Sequence, residues 1–343
     1  MSHQVVIIEG SEGEGGGQML RSALSLSMIS GQPFIIKNIR SKRKMPGLMR
    51  QHLTCVHAAA KICDADIKGA ELGSQELFFA PNTIKSGEYH FSIGTAGSTN
   101  LVAQTVIPAL MLGTKLSTII LEGGTHNMQS PPFDFLRDSF FPILKKMGVD
   151  IDAQLHTYGF YPAGGGKVEF NICPVAALKP LELLNRGSQL KCSAEAFFAD
   201  LSVDIPRREL NVISKRLGWA EDRLFIRQIK NSACPGNILI LTLAYENVTE
   251  TIASFGKLGV TAEKVATQAC NAAVDYLECN AAVGVYLADQ LLLPFALAGK
   301  GKFTTLRPSL HTMTNIEIIK KFISCDIQLR QINDVVWEIA IES

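Results

Sequence analysis

Gly16-Gly17-Gln18-Met19-Leu20 opens an apolar-periodic stretch that stops at Ser30-Gly31, and the same event recurs twice along the chain. Ala96-Gly97-Ser98-Thr99-Asn100 leads to Leu112-Gly113, and Val283-Gly284-Val285-Tyr286-Leu287 leads to Ala298-Gly299. Each is a small-residue turn, an apolar helix and a glycine stop, glycine being the residue best able to turn left-handed past a helix end. A second echo follows. Helical stretches ending Ala60-Lys61-Ile62-Cys63, Leu144-Lys145-Lys146-Met147 and Ile319-Lys320-Lys321-Phe322 run into Ala65-Asp66-Ile67, Val149-Asp150-Ile151 and Cys325-Asp326-Ile327. Alternating stretches at Leu77–Ala80, Val168–Ile172 and Val336–Ala340 close the units as strands. This order predicts an α+β chain of three repeated units, each two helices with a small sheet whose apolar face needs covering.

Between Leu184 and Asn280 the rhythm breaks. Strand-like Gln189–Phe198, a helix over Arg207–Leu217, a strand over Ile238–Tyr245 and a helix over Thr261–Leu277 read as a smaller inserted α+β domain. The boundaries predicted are 1–184 and 281–343 for the body and 185–280 for the insert, with the flanks of the insert close in space.

The chain has 343 residues, 47% hydrophobic and 19% charged, which is ordinary for a compact globular protein. A formal charge of +1 excludes a global basic field. A local patch carries Lys37, Arg40, Lys42, Arg43, Lys44 and Arg50 without an acid, and reads as either a solvated loop or a phosphate-binding segment. The eight cysteines lack Cys-x2-Cys spacing, which points to reduced thiols in the cytoplasm and away from disulfides or zinc. Met1-Ser2-His3-Gln4 does not begin a secretory signal, and no apolar run is long enough to span a bilayer, so no membrane association is expected.

The first turn, Gly13-Glu14-Gly15-Gly16-Gly17-Gln18-Met19-Leu20-Arg21, brings backbone N–H groups, a helix start and an arginine to one spot. That suits a polyphosphate, and Glu14, which would repel bare phosphate, suggests a divalent metal between them. A flexible glycine connector is the other reading. Walker A and dinucleotide fingerprints are both absent: Gly164-Gly165-Gly166-Lys167 precedes Val168, and Gln18 replaces a third glycine. Seven histidines include no His-x3-His, and no Gly-x-Ser-x-Gly occurs, which lowers zinc and serine hydrolases. His311, between Arg307-Pro308-Ser309-Leu310 and Thr312-Met313-Thr314-Asn315, reads as a nucleophile toward phosphorus or as a helix-start contact. Gln104, Pro131, Phe135, Tyr286, Asp289 and Gln290 fall at corresponding places in the repeats, forming either a purine slot or ordinary core.

These residues resemble the RNA 3′-terminal phosphate cyclases over essentially the whole chain. The resemblance is carried by Glu9-Gly10 with Gly13 to Ser25, then Pro46-Gly47-Leu48-Met49-Arg50-Gln51-His52-Leu53 and Gly159-Phe160-Tyr161-Pro162-Ala163-Gly164-Gly165-Gly166. It continues in Tyr286-Leu287-Ala288-Asp289-Gln290 and in His311 with Thr314-Asn315. It implies four-stranded sheets in the three units and ATP-dependent conversion of an RNA 3′-phosphate to a 2′,3′-cyclic phosphate. His311 is then the residue that takes AMP. A divalent metal (Mg or Mn) falls to Glu14. Triphosphate contacts fall to Gln18, Arg21, Arg40, Arg43 and Gln51, and adenosine contacts to Gln104, Pro131, Phe135, Tyr286, Asp289 and Gln290. Tyr158 departs from the basic residue that the family commonly places before Gly-Phe-Tyr-Pro, which puts a charged contact at that loop in doubt. A non-catalytic ribosome-assembly scaffold with the same body is the alternative, and retention of His311, Glu14 and Arg21 speaks against it. An enolpyruvyl transferase would need about twice as many repeats.

Overall fold

The computed structural model describes residues 4–343; Met1, Ser2 and His3 of the opening segment lie outside them. The first unit runs β1 (Val6–Glu9), α1 (Gly17–Ser30), β2 (Phe34–Lys37), α2 (Arg50–Cys63), β3 (Asp66–Lys68) and β4 (Leu77–Ala80). Its sheet is ordered β1-β2-β4-β3, with β1 and β2 parallel and the other pairs antiparallel. The second unit repeats this plan with β5 (Glu88–Ser92), α3 (Thr99–Leu110), β6 (Ser117–Gly123), α4 (Phe133–Phe135), α5 (Phe141–Lys146), β7 (Asp150–Thr157) and β8 (Gly166–Cys173). Strands β6 and β8 alternate buried and half-buried residues along their length, the period-2 pattern of a sheet with one face on the core.

The second helix of this unit is broken by a π turn over Leu136–Phe140. Pro142 follows one residue after the turn; it lacks an N–H and its ring crowds the carbonyl four residues back, that of Asp138 inside the turn, so the turn widens. The widened turn places Phe140 beside the polar centre of the molecule.

The third unit is split. Its first strand, β9 (Leu181–Leu183), precedes a fourth sheet made of β10 (Gln189–Ala199), β11 (Leu224–Gln228), β12 (Gly236–Tyr245) and β13 (Thr249–Phe255). Helices α6 (Asp204–Leu217) and α7 (Ala262–Glu278) pack on that sheet, and the chain then returns as α8 (Val285–Leu297), β14 (Lys300–Leu306), α9 (Leu310–Phe322), β15 (Asp326–Gln331) and β16 (Val336–Glu342). Strand β9 pairs in parallel with β14, so the third sheet has the order β9-β14-β16-β15 and the same plan as the other two. The architecture is therefore α+β, with four four-stranded mixed sheets.

One apolar core runs through the three units, from Leu20 and Leu24 through Phe133 and Phe170 to Phe295 and Phe303. The fourth sheet has its own core around Ala194, Leu241 and Val265. Tyr158, the position that departs from the family pattern, stacks on buried His126 at 4.8 Å and meets Phe197 of β10 at 6.0 Å, bridging second unit and fourth sheet. Helix α6 starts at Asp204, ahead of the Arg207 read from sequence, and Ser202 Oγ accepts the Asp204 N–H at 3.2 Å just before it. All eight cysteines are free. No helix of the described residues is long and apolar enough to cross a membrane.

Burial leaves a titratable signature on α6, where that helix packs on the fourth sheet. Glu209 is fully buried; Asn237 donates to its Oε2 at 3.1 Å, while Oε1 has no partner among the described residues. Its pKa is pushed up to about 7 by burial, against 4.5 for an ordinary glutamate. The folded state thus holds this proton more tightly than the unfolded chain. The stabilisation it gives is complete below pH 4.5 and is lost as the pH rises through about 7. Urea midpoints of the wild type should accordingly fall across that window relative to Glu209→Gln. A variant with the same slope as wild type would remove Glu209 from the explanation.

Candidate active site

The glycine-rich turn lies between β1 and α1 and docks on the start of α9. Gly13 has φ of 54°, and a methyl there would meet the Thr314 hydroxyl at 2.5 Å, so both conformation and space require glycine. Thr314 Oγ1 donates to the Leu310 carbonyl at 2.8 Å and accepts the Glu14 N–H at 3.0 Å. The first unit's loop is thereby clamped to the third unit's last helix. Ser309 caps α9 by accepting the Thr312 N–H at 3.1 Å, which sets His311 in the first turn with its ring exposed.

Gln18, in the first turn of α1, joins three elements. Its Nε2 donates to Asp289 of α8, at 2.7 Å to Oδ1 and 2.9 Å to Oδ2. Its Oε1 accepts from His311 Nδ1 at 2.8 Å. The Asp289 carboxylate also faces N–H groups of Asn315 at 3.4 Å and Gln290 at 3.3 Å, so it acts as an acceptor and fixes which end of the Gln18 amide it receives. The amide oxygen consequently faces His311, the ring proton sits on Nδ1, and the Nε2 lone pair is free. Burial pushes the Asp289 pKa up, opposed by the hydrogen bonds from Gln18 and Asn315 and by the Arg21 charge. Asn315 completes the frame: it donates to the Asp289 carbonyl at 3.1 Å, and its Oδ1 accepts from Ser22 Oγ at 2.8 Å.

Gln18 and Arg21 line a cleft of about 60 Å³ between α1, α3 and α8, with Gln104, Asp289, Gln290 and Phe140 also in its walls. Gln104 Nε2 donates to Gln290 Oε1, tying α3 to α8. Burial lowers the Arg21 pKa, with Cys55 and Asp289 opposing.

Not every residue picked from sequence joins this group. Glu14 pairs with exposed Arg43 beside the turn. Arg40 Nη1 donates to the Met45 and Gly47 carbonyls at 2.9 and 2.8 Å, shaping the basic loop. Gln51 Oε1 accepts the Ser98 N–H at 2.6 Å, so that amide holds the start of α3. Pro131, Phe135 and Tyr286 lie outside the cleft lining. Phe135 is 3% exposed and belongs to the core, the Pro131 carbonyl accepts from Asn100 at 2.9 Å, and Tyr286 is 73% exposed. Sequence reasoning missed Ser22 as a contributor. Asn315 was quoted only for its motif, although its place four residues after His311 on one helix face was a usable signal.

These features define a class: multi-unit α+β proteins whose polar centre is shared between the first and last units. The family model for RNA 3′-terminal phosphate cyclase matches residues 12–329, and the chain belongs to that family. The chain is 52% identical over 327 residues to the RNA 3′-terminal phosphate cyclase of Koribacter versatilis, covering 95% of this chain and 92% of that one. It is 47% identical to the protein of that name from Ectopseudomonas mendocina, covering 95% and 96%. With the one from Salmonella typhimurium the identity is 46%, covering 93% and 94%. Among solved structures, the enolpyruvyl transferase NikO from Streptomyces tendae gives a TM-score of 0.38 at 8% identity, covering 98% of this chain and 48% of that one. That score is too low to bear on fold or activity.

The relay fixes an observable. In ¹⁵N-histidine spectra at mildly alkaline pH, His311 should be predominantly protonated on Nδ1. Asp289→Asn, which frees the Gln18 amide to turn over, should shift the ring toward the Nε2–H form. An unchanged tautomer in that variant would break the proposed link between Asp289 and the ring.

Proposed function

We propose that this protein uses ATP to convert an RNA 3′-phosphate end into a 2′,3′-cyclic phosphate, by way of an AMP adduct on His311. The observation that carries this reading is the exposed imidazole whose Nδ1 proton is held by Gln18 and whose Nε2 lone pair is left free. An imidazole so oriented can attack phosphorus without first losing a proton. In the first step Nε2 bonds to the α-phosphorus of ATP and pyrophosphate leaves. The ring keeps its Nδ1 proton and becomes cationic, which strengthens the bond to Gln18 and sets it against the Asp289 carboxylate.

A cationic ring is also a good leaving group. In the second step an oxygen of the RNA 3′-phosphate attacks the bound AMP, the Nε2–P bond breaks, and neutral imidazole returns. In the third the neighbouring 2′-hydroxyl attacks the activated RNA phosphate and AMP departs, its proton passing to solvent. Because the 2′-hydroxyl is a reactant, a DNA 3′-phosphate can be activated but not cyclised.

Arg21, Arg43 and the start of α1 supply positive potential for the phosphates. Arg40 and Gln51, bound in the structure to loop carbonyls and to Ser98, support this region from behind. Tyr286, exposed on α8, is available to stack on the adenine, with Gln290 one turn along and Gln104 bonded to it to read the ring edge; Pro131 and Phe135 are assigned to the same slot. Among the described residues no three His, Cys, Asp or Glu side chains gather as a preformed metal cage. Magnesium or manganese bound with substrate phosphates needs only one or two protein carboxylates, so Glu14 fits as its ligand. Such a metal supplies charge neutralisation for the departing pyrophosphate. We assign residues 1–184 and 281–343 to the catalytic body and 185–280 to an inserted module, in a protein of the reducing cytoplasm.

Incubation with α-labelled ATP and a divalent metal is expected to give an acid-labile, hydroxylamine-resistant AMP adduct. His311→Ala should abolish it, and label uptake by that variant would exclude His311 as the nucleophile. Glu14→Ala is expected to weaken adenylylation chiefly by raising the metal concentration required; an unaltered metal titration would take Glu14 out of the site.

A further inference from the structure

The first turn of α2 contributes a side chain to which the mechanism above gives no task. His52 is only 8% exposed. Its Nδ1 accepts the Met49 N–H at 3.1 Å, closing the start of α2. A ring nitrogen that accepts carries no proton, so in the neutral ring the proton is on Nε2. Burial, then Arg21 and then Arg40 push the pKa down to about 3, which keeps the ring neutral.

Nε2–H is thus an uncharged donor of fixed direction, and among the described residues nothing accepts from it. It is aimed at Gly17. A methyl built on Gly17 would lie 2.3 Å from Nε2 and 3.0 Å from Arg21 Nη1. Helix α1 starts at that residue with no side-chain cap and no acid in its first turn. The missing side chain of Gly17 lets the imidazole edge pack against the first residue of α1, so that an unpartnered imidazole N–H and the Arg21 guanidinium lie side by side at the helix start.

We propose that His52 is a phosphate-binding residue whose Nε2–H donates to a non-bridging phosphate oxygen held beside Arg21 at the start of α1. This rests on the reading that a polyphosphate occupies the glycine-rich turn. A neutral donor suits the place: it adds a directed bond without a further positive charge next to Arg21 and Arg40. The phosphate can belong to the nucleotide triphosphate or to the RNA end, which share this chemistry.

Two substitutions separate the two ring nitrogens. His52→Asn puts an amide oxygen about where Nδ1 lies, keeping the cap and losing the donor. His52→Gln puts an amide N–H about where Nε2 lies, keeping the donor and losing the cap. Calorimetric binding of inorganic tripolyphosphate to the full-length protein reads the site without catalysis. His52→Asn is expected to bind about tenfold more weakly at an almost unchanged melting temperature, and His52→Gln within about threefold of wild type at a lower one. Wild-type affinity in His52→Asn, or losses that simply follow the melting temperatures, would overturn the proposal.

Kinetics then assign the source. A raised KM for ATP in adenylylation places the bond on the triphosphate; slower AMP transfer from isolated adduct to an RNA 3′-phosphate, at unchanged KM, places it on the RNA end. Tripolyphosphate binding through His52 without any AMP adduct sinks the reaction proposed above and leaves this site standing. Adenylylation with both variants behaving as wild type sinks the His52 assignment alone.

Discussion

The orientation of a single amide governs the polar centre. Gln18 can face Asp289 only with its nitrogen and His311 only with its oxygen, and this fixes the ring tautomer. Reversal would set oxygen against carboxylate in a buried place, where unmatched polar groups cost most. The three residues come from α1, α8 and α9, so no unit alone can form the contact. Thr314 against Glu14 and Asn315 against Ser22 and Asp289 hold those helices in register around it.

The fourth sheet is joined to the same centre. Glu250 of β13, 3% exposed, accepts the Gly284 N–H at 2.9 Å and so caps α8, which has no side-chain cap of its own. Thr251, next along the strand, meets Ser139 of the π turn at 2.8 Å. Arg186 donates to the carbonyls of Tyr276, Leu277 and Cys279, and its guanidinium lies over Tyr245 and Tyr276 at 4.9 and 4.7 Å. The chain is pinned in this way where it enters and where it leaves the fourth sheet. Glu250 sits between opposed effects: the helix start favours its charge, and burial raises its pKa to about 7.

Much of this was legible in the chain. The three units were readable because each repeats a small turn, an apolar helix and a stop, and because lysine-rich helix ends precede short alternating strands. The opening strands of the units were less so: β1 and β9 are short edge strands and β11 is largely exposed, so neither length nor alternation marks them, while β5 alternates over only five residues at a sheet edge. His311 stood out by context. The role of Gln18 did not, because a glutamine after glycines reads as a phosphate donor, and only the tertiary fold reveals Asp289 behind it. The Gln51 contact was hidden for the same reason. Its partner, the Ser98 N–H, belongs to another unit. Phe135 and Phe140 lie five residues apart on what looks like one helix; the π turn caused by Pro142 decides which of them reaches the cleft.

The split third unit has a consequence for biosynthesis. Leu184, just after β9, waits for Thr304, 120 residues on, before its carbonyl finds a hydroxyl, and β9 finds its neighbour only in β14. Closing so long an excursion is slow unless the intervening segment has already condensed. A nascent chain would therefore finish two units and the fourth sheet while His311 is still unmade or undocked. The contact among Gln18, Asp289 and His311 is thus the last to form in the emerging protein, and it waits on the condensation of the whole excursion.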